Sequence, residues 1–166
     1  MYAEKVQPHD LEAEEAVLGS LLIDGEAVAK VAPFLRPADF YREKNRWVYE
    51  ACLDLFQRGE AVDQRTVAHE LSRRGRLEEA GGPAYLSHLV AAVPTSVHVE
   101  HYARIIHRAS VYRQLIQAAS EITALGYGAA PDLEASLTRA EEVIFRLRLG
   151  SPLQGFVPIR EVLDKF

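Results

Sequence analysis

From Val97 to about Leu125 the chain places apolar residues at helical spacing without a break, and no other stretch restricts the possible folds as tightly. Tyr102, Ile105, Ala109, Tyr112, Ile116 and Ala119 step alternately by three and four, the heptad seam of a helix that packs lengthwise on another helix. A second apolar file, Val99, Ile106, Leu115, Ile122 and Leu125, runs beside the first. Gly126 to Pro131 then breaks the helix, and Asp132 is placed to cap the next one. In that helix Leu133, Leu137, Ala140, Ile144 and Leu147 repeat the same stepping. The pattern predicts a long antiparallel helical hairpin over 97–149.

Two antiparallel helices cover one seam each, so this hairpin carries more apolar surface than it can bury on itself, with Val143 and Phe145 also outside the seam. Either the helices before it fold over the surplus, or hairpins from two chains pack into a four-helix interface. On the second alternative the self-association surface is Tyr102, Ile105, Ala109, Tyr112, Ile116, Ala119, Leu133, Leu137, Ile144 and Leu147.

The region before residue 97 is helical too, in shorter pieces. Leu11, Val17, Leu18, Leu21 and Leu22 make a stripe behind Pro8 and Asp10, with Glu12, Glu14 and Glu15 in the first turn, where the helix dipole favours acids. Asp24-Gly25 ends that helix. A short helix with Val28, Val31 and Leu35 is stopped by Pro33 or Pro37. From about Arg42 to Arg58, Trp47, Val48, Ala51, Leu55 and Phe56 mark a longer one, closed by Gly59. Asp63 caps a helix with Val67 and Leu71 that ends at Gly75. Gly81-Gly82-Pro83 forms a turn, followed by a short helix with Tyr85, Leu86, Leu89 and Val90 before Pro94. No run has the alternation of a strand. The expected fold is all-α, with a globular helical bundle over 1–96, the hairpin over 97–149, and a joint leading into a further helix over 150–166.

Composition excludes several classes. A hydrophobic content of 48% in 166 residues supports a packed core rather than disorder. The single cysteine, Cys52, lies in an apolar helical pattern, which leaves no disulfide framework or cysteine metal site and points to a reducing, cytoplasmic setting. No segment reaches the ~18–20 apolar residues of a membrane span. With 24 acidic against 19 basic residues the net charge is −5, so the chain as a whole is no electrostatic trap for nucleic acid.

The motifs of chemistry are missing as well. Neither a phosphate loop nor a dinucleotide fingerprint occurs. His98 and His101 are three apart but lack a third ligand at helical spacing, so they read as solvated residues at a helix start. Val62 to Val90 imitates a helix-turn-helix, with Arg65, Arg73, Arg74 and Arg76 nearby, and this carries an alternative reading as a small helical DNA-binding regulator. The helix around Tyr85 to Val90, however, holds no Lys, Arg, Asn or Gln to read base edges.

Four segments together resemble the amino-terminal domain of the bacterial replicative DNA helicases of the DnaB family: PHDLEAEEAVLGSLLID (8–24), DFYREKNRWVYEACLDLFQRGEAVDQRTVAHEL (39–71), GRLEEAGGPAYLSHL (75–89) and YARII (102–106). The resemblance runs in order from about residue 8 to the end of the chain. It implies an all-helical, non-catalytic collar in which hairpins pair between subunits and three pairs sit on a ring of six motor domains. Primase docks on that collar through its carboxyl-terminal helicase-binding domain. Carried onto this sequence, Glu12, Tyr85, Ile116 and Ile122 match positions of that contact, and a helicase loader is a further partner the family leaves open. ATP and magnesium belong to the motor domain, so this chain is expected to hold no cofactor or metal and to be no enzyme alone. Where many relatives have Asn this chain has His98, which shifts the expected cap of the hairpin to Ser96. Ile159, Val162, Leu163 and Phe166, at helical spacing after Pro158, resemble the linker helix that docks on the motor domain of a neighbouring subunit.

Overall fold

The structure is a computed structural model that describes residues 5–149; the linker residues Ile159, Val162, Leu163 and Phe166, and the joint before them, lie outside the described residues. Seven α-helices and two 3-10 turns make up the described chain, with no strand among those residues.

Short polar side chains set most helix boundaries. Asp10 precedes α1 (Leu11–Ile23) and accepts the Ala13 N–H at 2.9 Å. Asp24 closes α1 and accepts the Glu26 N–H at 3.1 Å, which starts a 3-10 turn over Gly25–Ala27 that leads into α2 (Val28–Val31). A second 3-10 turn, Pro37–Asp39, is held by the Asp39 carboxylate accepting the Arg36 N–H at 2.7 Å. α3 (Glu43–Gln57) is followed by Gly59, whose φ of +74° suits glycine. α4 (Gln64–Arg73) opens with a reciprocal pair, the Asp63 side chain accepting the Thr66 N–H and the Thr66 hydroxyl accepting the Asp63 N–H, both at 2.9 Å. α5 (Gly82–Ala91) begins within the expected glycine turn, with Pro83 in its first turn, where a missing N–H costs nothing.

The described chain forms two compact units, divided between Ser110 and Val111. In the first, Val17, Leu18 and Leu21 of α1 are fully buried, and α1 packs on α3 and α5. The approach of α1 to α5 is closest at Gly19, where a Cβ would lie 2.2 Å from the Leu89 carbonyl oxygen. Leu35, Phe40, Val48, Tyr49, Cys52, Leu71 and Leu86 complete the core, and the Tyr49 hydroxyl donates to the Leu35 carbonyl at 2.8 Å. Burial pushes the Cys52 thiol up to about 12, so it is an inert core residue.

The division falls inside α6 (Val99–Gly128), at Ser110, rather than ahead of it at residue 96. The reason is that Val99, Ala103 and Ile106, one per turn, belong to the globular core, and the Ser110 hydroxyl donates to Asp39 at 2.7 Å. Tyr102 and Ile105, placed by spacing on the self-association surface, are half-buried against that same core. The Ser96 hydroxyl does not cap α6; it donates to Asp24 at 3.3 Å, while the Ser96 carbonyl accepts the Val99 N–H.

The second unit pairs the later part of α6 with α7 (Leu133–Leu149). Asp132 accepts the Ala135 N–H at 3.2 Å, the expected cap. Ala118 and Val143 are buried where the helices meet, beside an ion pair between Arg146 and Glu121 at 3.3 Å.

Candidate interaction surfaces

The hairpin contact uses small side chains and leaves the large ones outside. Tyr112, Leu115, Ile116, Leu133, Leu137 and Ile144 are between 44% and 66% exposed. At about 100° per residue, Tyr112, Leu115, Ile116 and Ala119 fall to one flank of the Ala118 direction, and Leu133, Leu137 and Ile144 to one flank of the Val143 direction. Because the helices run antiparallel, both flanks turn to the same side, giving one continuous apolar face. Ala119 is exposed on it and Leu147 half-buried at its edge, while Ala109 lies half-buried in the first unit.

The residues matched to the primase contact divide by burial. Glu12 is exposed, on the rim of a 400 Å³ cleft also lined by Glu15, Ala16, Val93, Pro94, His98 and Tyr102. Ile116 is exposed and Ile122 half-buried. Tyr85 is a core residue instead, 8% exposed, and its hydroxyl donates to the Asn45 side-chain oxygen. Burial pushes that hydroxyl up to about 12, and the Lys44 ammonium sits 3.7 Å from the ring centroid. A ring committed to a buried hydrogen bond and covered by a lysine is not free to receive a partner, which corrects its assignment to the docking surface.

Asn45 belongs to a network that sequence spacing did not show. Glu14, 1% exposed, accepts the Tyr41 N–H at 2.7 Å, the Arg42 N–H at 3.3 Å and the Asn45 amide at 2.9 Å. In the sequence it is one of three first-turn acids; in the fold it alone turns inward.

A second missed constellation centres on Glu70 of α4, 2% exposed, which collects the guanidinium groups of Arg73 at 2.7 Å, Arg58 at 3.0 Å and Arg74 at 3.0 Å. Arg73 and Arg74 stand three and four residues beyond it on one helix, so that part was open to a search for helical ion pairs. The hydrogen bonds from Arg73 and then Arg58 hold the Glu70 carboxyl well below the usual carboxylate range. A depressed folded value means stability that is fully present above the unfolded value of about 4.3 and lost as pH falls below it. Urea unfolding of wild type and Glu70→Gln across about pH 6 to 3 should therefore show the wild type losing part of its advantage as the acid is protonated in the unfolded chain. Parallel curves would exclude the ion cluster as their source.

The helix-turn-helix alternative gains no reading surface. α5 buries Tyr85, Leu86 and Leu89, and its exposed positions are Pro83, Ala84, Ser87, His88 and Ala91. Among the described residues no three His, Cys, Asp or Glu side chains are grouped for a metal, and no helix is long and apolar enough to cross a membrane.

Comparison with known proteins agrees with this architecture. A replicative DNA helicase DnaB of Geobacillus stearothermophilus is 38% identical over 163 residues, which are 98% of this chain and 36% of that protein. The chain thus spans about a third of that relative. The crystal structure of the N-terminal domain of DnaB helicase from Mycobacterium tuberculosis matches with a TM-score of 0.82 and 41% identity, over 86% of this chain and 99% of that one. The N-terminal domain of DnaB helicase from Helicobacter pylori, described with its interactions with primase, shares the fold at a TM-score of 0.60 and 23% identity, over 70% of this chain and 90% of that one. The family profile of the DnaB-like helicase N terminal domain covers residues 6–108, and the chain belongs to that family.

Proposed function

We propose that this chain is the self-associating collar of a replicative DNA helicase and the platform on which primase docks, while ATP hydrolysis and strand separation reside in a part of the protein that carries a phosphate loop. The observation that carries this reading is the apolar face of the second unit, built from Tyr112, Ile116, Ala119, Leu133, Leu137 and Ile144. Large side chains left half in water on a helical pair are what a second copy covers, and pairing of two such faces gives a four-helix interface. Three such dimers complete a hexameric ring. Support for the primase role comes from the Helicobacter pylori domain of the same fold. On this chain the docking residues are Glu12, Ile116 and Ile122.

Sedimentation equilibrium tests the proposal. Wild-type protein is expected to dimerise, and Ile116→Asp to weaken dimerisation by about a hundredfold or more, because a carboxylate would have to be buried against leucine. The same substitution should reduce binding of the primase carboxyl-terminal domain. A strict monomer at the highest attainable concentration, together with unchanged primase binding by Ile116→Asp, would overturn it.

A further inference from the structure

The Glu70 cluster borders a 630 Å³ cleft between α3 and α4, lined by Leu55, Arg58, Glu60, Arg65, Thr66, His69, Glu70 and Arg73. Arg65, His69 and Arg73 follow one another at four-residue intervals, which places them in one row along α4, and all three are exposed.

Counting donors shows what the row has left to offer. Arg58 engages Nε, Nη1 and Nη2 with Glu60 and Glu70. Arg73 turns Nε and Nη2 to Glu70 and leaves Nη1 outward. Arg65 and His69 have no hydrogen-bond or ion-pair partner among the described residues. Glu70, with 3% of its side chain exposed, is thus the support that fixes Arg73 in place, while the whole guanidinium of Arg65 remains available. In a chain of net charge −5 this is a local excess of oriented cation.

We infer that this cleft is a binding site for the carboxylate of an acidic peptide segment on a partner protein. The Arg65 fork takes the carboxylate in two parallel hydrogen bonds, and Arg73 Nη1 and the His69 ring close the pocket around it. An extended phosphate backbone suits the site less well. Glu60 lines the same cleft, and the next two cations, Arg74 and Arg76, are already paired with Asp54 and Glu50, so a polyanion that ran past the row would meet carboxylates rather than free cations. A single carboxylate is short enough to seat on the Arg65 fork without running along the cleft past Glu60. The inference is independent of the hairpin face and of the proposed pairing.

The experiment uses the full chain with a fluorescein-labelled, carboxyl-amidated peptide carrying one glutamate in a Gly/Ser segment, a labelled 20-base-pair duplex as a second probe, and fluorescence anisotropy at low salt. Peptide affinity is expected to fall about fivefold for Arg65→Ser and further for Arg65→Glu. Lys30→Ser on α2, an exposed cation outside the cleft, should leave it unchanged. Arg65 supports no other side chain, so its variants should fold as wild type does, which far-ultraviolet circular dichroism verifies. Equal peptide binding by wild type and Arg65→Glu would overturn the inference. So would a duplex that binds more tightly than the peptide and is weakened by Arg65→Glu to the same degree, since the cleft would then be a phosphate contact.

Discussion

Glu14→Ala is expected to cost roughly 3–5 kcal/mol, which removes a large share of the stability of a chain this size. The substitution deletes one acceptor group and strands three donors: the backbone N–H groups of Tyr41 and Arg42 and the Asn45 amide. The Asn45 amide is fully buried, and such a donor without a partner costs ~1–3 kcal/mol; the two at the entry to α3 are part-buried backbone groups that cannot rotate away. Loss spreads further, because Asn45 also orders Tyr85 through its side-chain oxygen. Glu14→Gln should cost less than Glu14→Ala, since its side-chain oxygen keeps one acceptor, although its NH2 group then faces donors it cannot bond. Tyr85→Phe, which removes only the outer hydroxyl of the network, should cost about 1 kcal/mol. Urea unfolding followed by circular dichroism measures all three. If Glu14→Ala shifted the midpoint no more than Tyr85→Phe, the carboxylate would not be the organiser of this corner.

The second large effect is expected at Gly19. A methyl group there meets the Leu89 carbonyl oxygen at 2.2 Å and the Val93 Cγ2 at 2.8 Å. The first of these is backbone of α5, so relief requires the two helices to move apart rather than a side chain to turn. Gly19→Ala should therefore destabilise by about 3 kcal/mol. Gly59→Ala serves as the comparison: its Cβ would meet nothing within 4 Å, and only the positive φ resists it, at about 1 kcal/mol. Combining Gly19→Ala with Val93→Ala distinguishes the two obstacles. Little recovery is expected, because the carbonyl remains; full recovery would assign the clash to the valine.

Both sites show where local pattern stops being informative. The caps at Asp63 and Asp132, the glycine end at Gly59 and the all-helical class were legible because each depends on residues within one turn of it. Glu14 was not, since its partners lie 27 to 31 residues away, and a first-turn acid next to Glu12 and Glu15 has an adequate explanation in the helix dipole. Gly19 raised no signal at all, because close approach of α5 is visible only after α5 is placed. Heptad stepping was correct as spacing but silent about the neighbour: Tyr102 and Ile105 share the register of Tyr112 and Ile116, yet the first pair rests on the globular core and the second faces water. Tyr85 failed for the related reason that an aromatic in a short amphipathic helix looks the same from the sequence whether its ring is a contact or a core wedge. On the candidate site, spacing therefore supplied the hairpin face and missed the arginine cleft, whose Arg58 arrives from another helix.

The small residues where α6 meets α7 have a thermodynamic consequence. Ala118 and Val143 bury little hydrocarbon between them, so a single hairpin gains little from closing against the conformational entropy it gives up. If two copies pair as proposed, mass action enters, and the order of residues 111–149 becomes a property of the solution as much as of the chain. Calorimetry of a dilution series should then resolve two transitions: one whose temperature climbs with protein concentration, from the paired hairpins, and one fixed at every dilution, from the helices gathered around α1.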